Sequence, residues 1–371
     1  MALSLRLEKG FDSSGGGFRL DVALEAGSDI TVLFGPSGAG KSLVLNMISG
    51  IVRPEAGYVR VGGDTLFDSQ SGVDVPMRLR RVGHLFQDYA LFPHMTVFEN
   101  VAYGVGGRDG EARRRRVGEL LDLMRLAGLE GRYPRELSGG QRQRAALART
   151  LAAGPRVLLL DEPFSALDSL VREKLRADLL DIHRLFPVST LLVTHDLEEA
   201  FEMGERIAVI NEGRIIQHGT REEVFFRPAT RDVARFVGTR NIFDGVVRSA
   251  TADGVVVECP PLGVLEAHCA DRRPPGSRVT LCIRPEEIYI IRPDRPLDPR
   301  VARNVVEGRI RAVSGRGAST VLRLETDRRA LLKIEVPNFV ARKLGLAKET
   351  PLKVSLKKES LWVIGAPSGG R

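Results

Sequence analysis

The stretch ITVLFGPSGAGKSLVLNMIS, Ile30 to Ser49, decides the fold. Its opening run is apolar or β-branched without alternation, which reads as a strand covered on both faces; LVLNMIS reads as a helix. Between them GPSGAGKS fits G-x-x-x-x-G-K-[ST] in the strand-then-helix context that this pattern requires. Gly35, Pro36, Ser37, Gly38, Ala39 and Gly40 form a loop whose glycines let backbone N–H groups curl around phosphate oxygens. The helix N-terminus then faces the negative charge, Lys41 reaches the β/γ-phosphates, and Ser42 offers its hydroxyl to Mg²⁺.

Outward from this loop, Ile30 to about Gly219 alternates buried-type strands (ITVLF, RVLLLD, STLLVTH) with helical segments, the pattern of a parallel sheet with helices on both faces. RVLLLDEP ends in two acids: Asp161 suits the Mg²⁺ shell, and Glu162 is placed to polarise an attacking water. His195 ends TLLVTH and so falls on the same carboxyl edge of the sheet, where its imidazole reaches the γ-phosphate. Gln87, in HLFQDYALFPH, lies in a loop-like stretch and carries little signal alone. The helix after Asp196 has a capping-box pattern with Glu199, and NEGR, Asn211 to Arg214, reads as a turn between two strands.

LSGGQ, Leu137 to Gln141, precedes a second helix, so Ser138 and the N–H groups of Gly139 and Gly140 make a second anion cradle. One triphosphate does not need two cradles on one subunit. The economical arrangement is a two-fold sandwich, in which the loop of one subunit closes over the γ-phosphate held by another.

At 371 residues and 43% hydrophobic content the chain affords two domains. No apolar run approaches the length of a membrane helix and the first ten residues lack a signal-peptide core, which predicts a cytoplasmic protein. Cys259, Cys269 and Cys282 match no metal-ligand spacing and are expected to be reduced thiols without chemistry. The net charge of +8 raises nucleic acid as a partner, but Arg113 to Arg116 ring a helix and read as a solvated face. Beyond Phe236 helical periodicity fades and strand candidates recur, which predicts a β-barrel-like domain. RNIFDGVV from Arg240 and RNVVEGRI from Arg303 form an internal echo, giving two related halves near 240–302 and 303–371. SGRGAST, Ser314 to Thr320, supplies hydroxyls and free N–H groups suited to an anion nest; a packing and dimerisation module is the other reading of this domain.

With these motifs in order, the chain resembles the ATP-binding subunit of an ABC importer. GPSGAGKS is similar to Walker A, Gln87 to the Q-loop, LSGGQ to the signature, RVLLLDEP to Walker B, SALD (Ser165 to Asp168) to the D-loop and His195 to the switch histidine. The resemblance implies an α/β P-loop nucleotide-binding domain with a helical subdomain over 1–237, followed by a mostly β, OB-like or barrel accessory domain over 238–371. It implies ATP and Mg²⁺ as cofactors, with Glu162 and His195 catalytic, Ser42, Gln87 and Asp161 at the metal, and Ser138, Gly139, Gly140, Gln141 and Asp168 at the nucleotide. It also implies head-to-tail homodimers, peripheral attachment at the cytoplasmic face of the inner membrane, a permease seated on Gln87–Asn100, and an extracytoplasmic solute-binding protein. Phe11 is the expected adenine-stacking aromatic and Phe18 the runner-up, because GFDSSGGGF carries an unusual glycine-rich insert; Leu43 stands where many relatives have threonine. CIRPEEIYI resembles the accessory β domain of importer ATPases. ARNVVEGRI resembles molybdate-binding small domains, which points to molybdate or tungstate as cargo, with sulfate, ferric iron and sugar as alternatives and an oxyanion at the C-terminal domain. A non-transport ABC protein acting on nucleic acid is disfavoured by a single Walker A and no heptad run, and a metabolite kinase by its lack of use for LSGGQ.

Overall fold

The computed structural model describes residues 2–11, 17–106, 110–165, 169–251, 254–269, 273–292 and 301–365. It divides into two compact units, Met1–Arg221 and Glu222–Arg371.

The first unit is built on strands β1 (Leu3–Phe11), β2 (Phe18–Ala26), β3 (Ile30–Phe34), β4 (Ala56–Val61), β5 (Asp64–Asp68), β6 (Val73–Asp74), β7 (Val82–Leu85), β8 (Val157–Asp161), β9 (Ser189–Thr194), β10 (Arg206–Asn211) and β11 (Arg214–Thr220). They form one sheet in the order β6-β5-β4-β1-β2-β11-β10-β3-β9-β8-β7. The expected parallel sheet is one half of it: β10, β3, β9, β8 and β7 run parallel, while β1, β2, β4, β5 and β6 form an antiparallel half. Residue type explains the split. Every residue of β3 and β9 is buried, as in a strand covered on both faces, whereas β1 alternates buried leucines with more accessible Ser4, Arg6 and Glu8, as one-sided antiparallel strands do. The P-loop helix, Lys41–Ser49, packs on β7 and β8. The helices Val97–Val105, Gly110–Leu123 and Gly139–Ala152 pack on one another as a helical subdomain. Arg113 departs from the solvated-face reading: its Nε and Nη2 donate to the Ala102 carbonyl at 3.0 and 2.7 Å, satisfying the end of the preceding helix.

The second unit contains β12 (Asn241–Thr251), β13 (Gly254–Cys259), β14 (Gly263–His268), β15 (Arg278–Ile283), β16 (Tyr289–Ile290), β17 (Val305–Arg316), β18 (Ser319–Thr326), β19 (Leu331–Pro337), β20 (Pro351–Ser355) and β21 (Trp362–Gly365). A closed barrel β12-β13-β14-β21-β15 accompanies a five-stranded sheet β16-β20-β17-β18-β19. Both have the same plan, a long bulged strand flanked by its hairpin partner and a fourth strand, with bulges at Val247/Ser249 and Ile310/Ala312. The fifth strands are exchanged: β16 follows the first half but pairs with β20, and β21 follows the second half but pairs with β15. One continuous apolar core joins the two sheets. Within this unit Trp362 Nε1 donates to the Pro228 carbonyl at 3.1 Å and Arg284 Nη1 to that of Val237 at 2.7 Å. The unit accordingly begins at Glu222, ahead of the change in sequence texture at Phe236. Cys259, Cys269 and Cys282 form no disulfide, and burial pushes the thiols of Cys259 and Cys282 up to about 11 and about 12.

Candidate nucleotide site

Four parallel strands deliver residues to one carboxyl edge. β3 runs into Gly35, β7 into Gln87, β8 into Asp161 and Glu162, and β9 into His195. This is the edge at which open α/β sheets hold ligands.

The loop Gly35–Ser42 is shaped by close approaches. A Cβ on Gly35 would lie 2.1 Å from the Ile210 carbonyl oxygen, so only glycine lets β10 pass there. Gly40 takes φ +100° as N-cap of the P-loop helix, and a Cβ there would meet Leu20 at 2.8 Å and the Phe18 ring at 3.0 Å. From the far side the Gly213 N–H donates to the Ala39 carbonyl at 3.1 Å. The turn Asn211–Arg214 therefore props the loop, a role its turn signature alone does not reveal.

Lys41 is buried, and its Nζ donates to the carbonyls of Gly35 and Pro36 at 2.9 Å each, which holds the ammonium across the loop mouth. Burial lowers its pKa, while Glu162 and Asp161 pull the other way. Ser42 Oγ donates to Asp161 Oδ1 at 3.0 Å, joining the loop to the end of β8. Burial raises the Asp161 pKa; the Ser42 bond opposes this and neighbouring Glu162 adds to it. A hydroxyl and a crowded carboxylate are the oxygen donors that suit a hard divalent cation, so Ser42 and Asp161 fit Mg²⁺.

Glu162 is held at φ +44°, a left-handed backbone uncommon outside glycine. Its N–H donates to the Val193 carbonyl at 3.0 Å, and its own carbonyl accepts from Ser165 N–H at 3.2 Å and Ser165 Oγ at 3.0 Å. So pinned, its Oε1 lies 2.9 Å from His195 Nδ1. The carboxylate is the more enclosed partner and the imidazole the more exposed, at 19% and 53% side-chain exposure. A partly desolvated carboxylate oriented by an imidazole beside a phosphate cradle can take a proton from water. The predicted capping box after Asp196 does not form. Asp196 caps the helix alone, accepting from the N–H groups of Glu198 and Glu199, because Glu199 Oε2 instead accepts from Thr194 Oγ1 at 2.6 Å.

Gln87 is exposed in the turn past β7. Its neighbours Tyr89 and Ala90 both have positive φ, +64° and +44°, and Arg149 of the helix Gly139–Ala152 donates to their carbonyls at 3.2 and 2.7 Å. That clamp escaped sequence reading because Arg149 sits in the alanine-rich run RAALARTLAA. Ser138 and Gln141 form a capping box at the start of the same helix: Ser138 Oγ accepts from Gln141 N–H at 3.3 Å and Gln141 Oε1 from Ser138 N–H at 2.8 Å. No hydrogen bond among the described residues joins them to Gly35–Ser42. Gly140 is buried against Val171 and Leu175, while Gly139 is half-buried. Phe11 is 44% exposed, in register with Phe18, with ring centroids 6.4 Å apart; Phe18 is the one against Gly40. Asp168 lies outside the described residues. The anion nest read at Ser314–Thr320 is not open. Gly315 pairs with Thr320 and Arg316 with Ser319, Ser319 Oγ donates to Glu335 Oε1 at 2.6 Å, and Thr320 Oγ1 donates to Asn338 Oδ1 at 2.7 Å.

Comparison with known proteins agrees with this geometry. Residues 19–165 match the ABC transporter family and residues 281–364 the TOBE domain. The sulfate/thiosulfate import ATP-binding protein CysA of Xylella fastidiosa (strain 9a5c) is 44% identical over 279 residues, 73% of this chain and 75% of that protein. Its namesake in Bordetella bronchiseptica is 39% identical over 367 residues, 96% and 98% of the two chains. The spermidine/putrescine import ATP-binding protein PotA of Nitratidesulfovibrio vulgaris is 40% identical over 296 residues, 78% and 77%. Among solved structures, the dimeric post-hydrolysis state of the ATP-binding cassette MJ0796 bound to ADP and Pi is similar at TM-score 0.52 and 31% identity, covering 59% of this chain and 98% of that one. No helix among the described residues is long and apolar enough to cross a membrane. On this geometry and these matches, the chain belongs to the ABC importer ATPases that carry a C-terminal TOBE domain, P-loop enzymes that bind ATP with Mg²⁺ and hydrolyse it.

Proposed function

We propose that this ATPase powers uptake of sulfate or a closely related oxyanion through a separate membrane permease. The observation that carries the reading is the near full-length similarity to the Bordetella sulfate/thiosulfate protein, at 96% of this chain and 98% of that one. The similar identity to a polyamine importer argues that the motor chemistry itself does not choose the cargo. The molybdate and tungstate expectation finds no support among these relatives, and sulfate replaces it.

In this reading Lys41 and the N–H groups of Gly35–Gly40 bind the β/γ-phosphates, and Glu162 accepts the proton of the attacking water while His195 orients the carboxylate and contacts the γ-phosphate. Ser42 and Asp161, with Gln87, hold Mg²⁺, which neutralises phosphate charge when bound. Ser138, Gly139, Gly140, Gln141 and Asp168 complete the site of a second copy in a head-to-tail homodimer, Phe11 stacks on adenine, and Gln87–Asn100 meets the permease at the cytoplasmic face. The first unit, Met1–Arg221, carries the motor and the second, Glu222–Arg371, the accessory domain. The test is ATPase activity of the purified complex of this chain, its permease and its solute-binding protein. Sulfate or thiosulfate should stimulate turnover, while molybdate, tungstate and spermidine leave it at the basal rate; stimulation by spermidine alone would overturn the cargo assignment.

A further inference from the structure

His195 is exposed over half of its side chain, and its one side-chain hydrogen bond among the described residues is the 2.9 Å contact of Nδ1 with Glu162 Oε1. A ring so placed can turn away into solvent unless the backbone on either side of it is fixed. A closed set of hydrogen bonds does this. Thr194 Oγ1 accepts from the Asp196 N–H at 3.0 Å, which closes a turn across His195. Asp196 Oδ1 accepts from the N–H groups of Glu198 at 2.8 Å and Glu199 at 3.0 Å, which starts the helix Leu197–Met203. From the first turn of that helix Glu199 Oε2 reaches back and accepts from Thr194 Oγ1 at 2.6 Å, so the circle ends where it began.

The bonds are buried where His195 is not: Thr194 is 1% and Glu199 3% exposed. Thr194 ends β9, a strand buried throughout, and pairs with Phe34, the residue before the phosphate loop. Valine has the same shape and an equal preference for strands, so the strand itself does not call for the hydroxyl. A buried carboxylate is unfavourable, and an apolar side chain of similar size would avoid that cost. Burial raises the Glu199 pKa and the Thr194 bond opposes this; Asp196 adds to the rise, and Arg172 and Arg176 counter it. Arg172, on the helix Ser169–Leu185 that follows SALD, stands between the two acids, 3.8 Å from Asp196 Oδ2 and 3.9 Å from Glu199 Oε1. A strand, a capped helix and a second helix thus converge on one turn, and what that turn presents at the carboxyl edge of the sheet is the His195 ring.

We propose that Thr194 and Glu199 are positioning residues for ATP hydrolysis: their bond, supported by Arg172, fixes the backbone around His195 so that its imidazole stays on Glu162. Both act through His195 and not on the nucleotide. The proposal rests on the reading of Glu162 and His195 as the groups that handle the attacking water. A displaced imidazole slows the chemical step, while nucleotide affinity, set by Lys41 and the loop Gly35–Ser42, stays as it was.

The test is steady-state ATP hydrolysis by the full-length chain, with kcat and KM resolved. Thr194→Val and Glu199→Ala should each lower kcat roughly 10- to 10²-fold and leave KM for ATP within about twofold. Thr194→Ser keeps the hydroxyl and Glu199→Gln keeps an acceptor oxygen, so both should stay within about threefold of the parent rate. A second readout is the nitrogen-15 spectrum of labelled histidine. The chain has six histidines, and the signal lost in His195→Ala identifies that of His195. Thr194→Val should shift the His195 Nδ1 resonance in the direction that Glu162→Ala shifts it and leave the other histidines in place. Where Thr194→Val does not fold, Glu199→Ala and the same resonance carry the test. Parent-like kcat in both Thr194→Val and Glu199→Ala, a rise in KM that accounts for the whole loss, or a His195 resonance unmoved in either variant overturns the proposal. Full turnover in His195→Ala would overturn the catalytic reading beneath it and the proposal with it, so the two failures are told apart by which variant keeps its rate.

Discussion

His84 should make the first unit lose stability on acidification in a way that a single substitution abolishes. Its imidazole is buried in β7, stacked on Phe86 at 4.1 Å between centroids, and neither ring nitrogen has a hydrogen-bond partner. Burial lowers its pKa from 6.5 to about 4. The folded protein therefore holds the ring neutral, while the unfolded chain protonates it near 6.5. Stability from this group is complete above pH 6.5, falls as pH drops towards 4, and then levels off. The full difference is worth about 3 kcal/mol, of which about 2 kcal/mol is lost by pH 5. Urea unfolding followed by helical circular dichroism is the suitable assay, because most helices lie in the first unit and Trp362 lies in the second. Between pH 8 and pH 5 the parent should lose about 2 kcal/mol more than His84→Leu. At pH 8 the leucine variant should be at least as stable, since it removes two buried nitrogens without partners. Parallel pH curves for the two proteins, or a leucine variant weaker by more than about 2 kcal/mol at pH 8, would refute the reasoning.

Other expectations follow from the nucleotide site. Glu162→Gln should keep ATP binding and lose about 10²- to 10⁴-fold in hydrolysis, read as phosphate release. Lys41→Ala should instead weaken nucleotide binding in equilibrium dialysis, because the ammonium held by Gly35 and Pro36 is removed. Ser138→Arg should leave ATP binding to the single subunit intact and abolish ATP-dependent dimerisation of the Glu162→Gln protein in light scattering. A double variant that still dimerises would sink the composite-site reading.

What the sequence disclosed and what it withheld divide along physical lines. Elements whose identity is set by short-range chemistry were legible: β3 coincides with ITVLF, and GPSGAGKS runs from its end into the first turn of the helix Lys41–Ser49 because the phosphate loop needs both neighbours. The carboxyl edge was legible for the same reason, since a buried strand ending in Asp-Glu or in His can only present those residues at its end. The antiparallel half of the sheet was not, because one-sided strands and surface hairpins share an alternation that does not say which partner covers the apolar face. Long-range polar satisfaction was invisible for a different reason. Arg149 on the Tyr89 and Ala90 carbonyls, Glu199 on Thr194 and Gly213 on Ala39 each join residues distant in sequence or divert a residue from its local role. Local rules predicted a capping box at Glu199, and the tertiary bond to Thr194 won. The glycines fall between these cases. Gly35 was assigned to phosphate approach, yet the structure makes it indispensable even without a ligand, because Ile210 leaves no room for a Cβ. A motif residue can thus serve packing and chemistry at once. Substituting Gly35 would confound the two, because a side chain there meets the Ile210 carbonyl whether or not a nucleotide is bound.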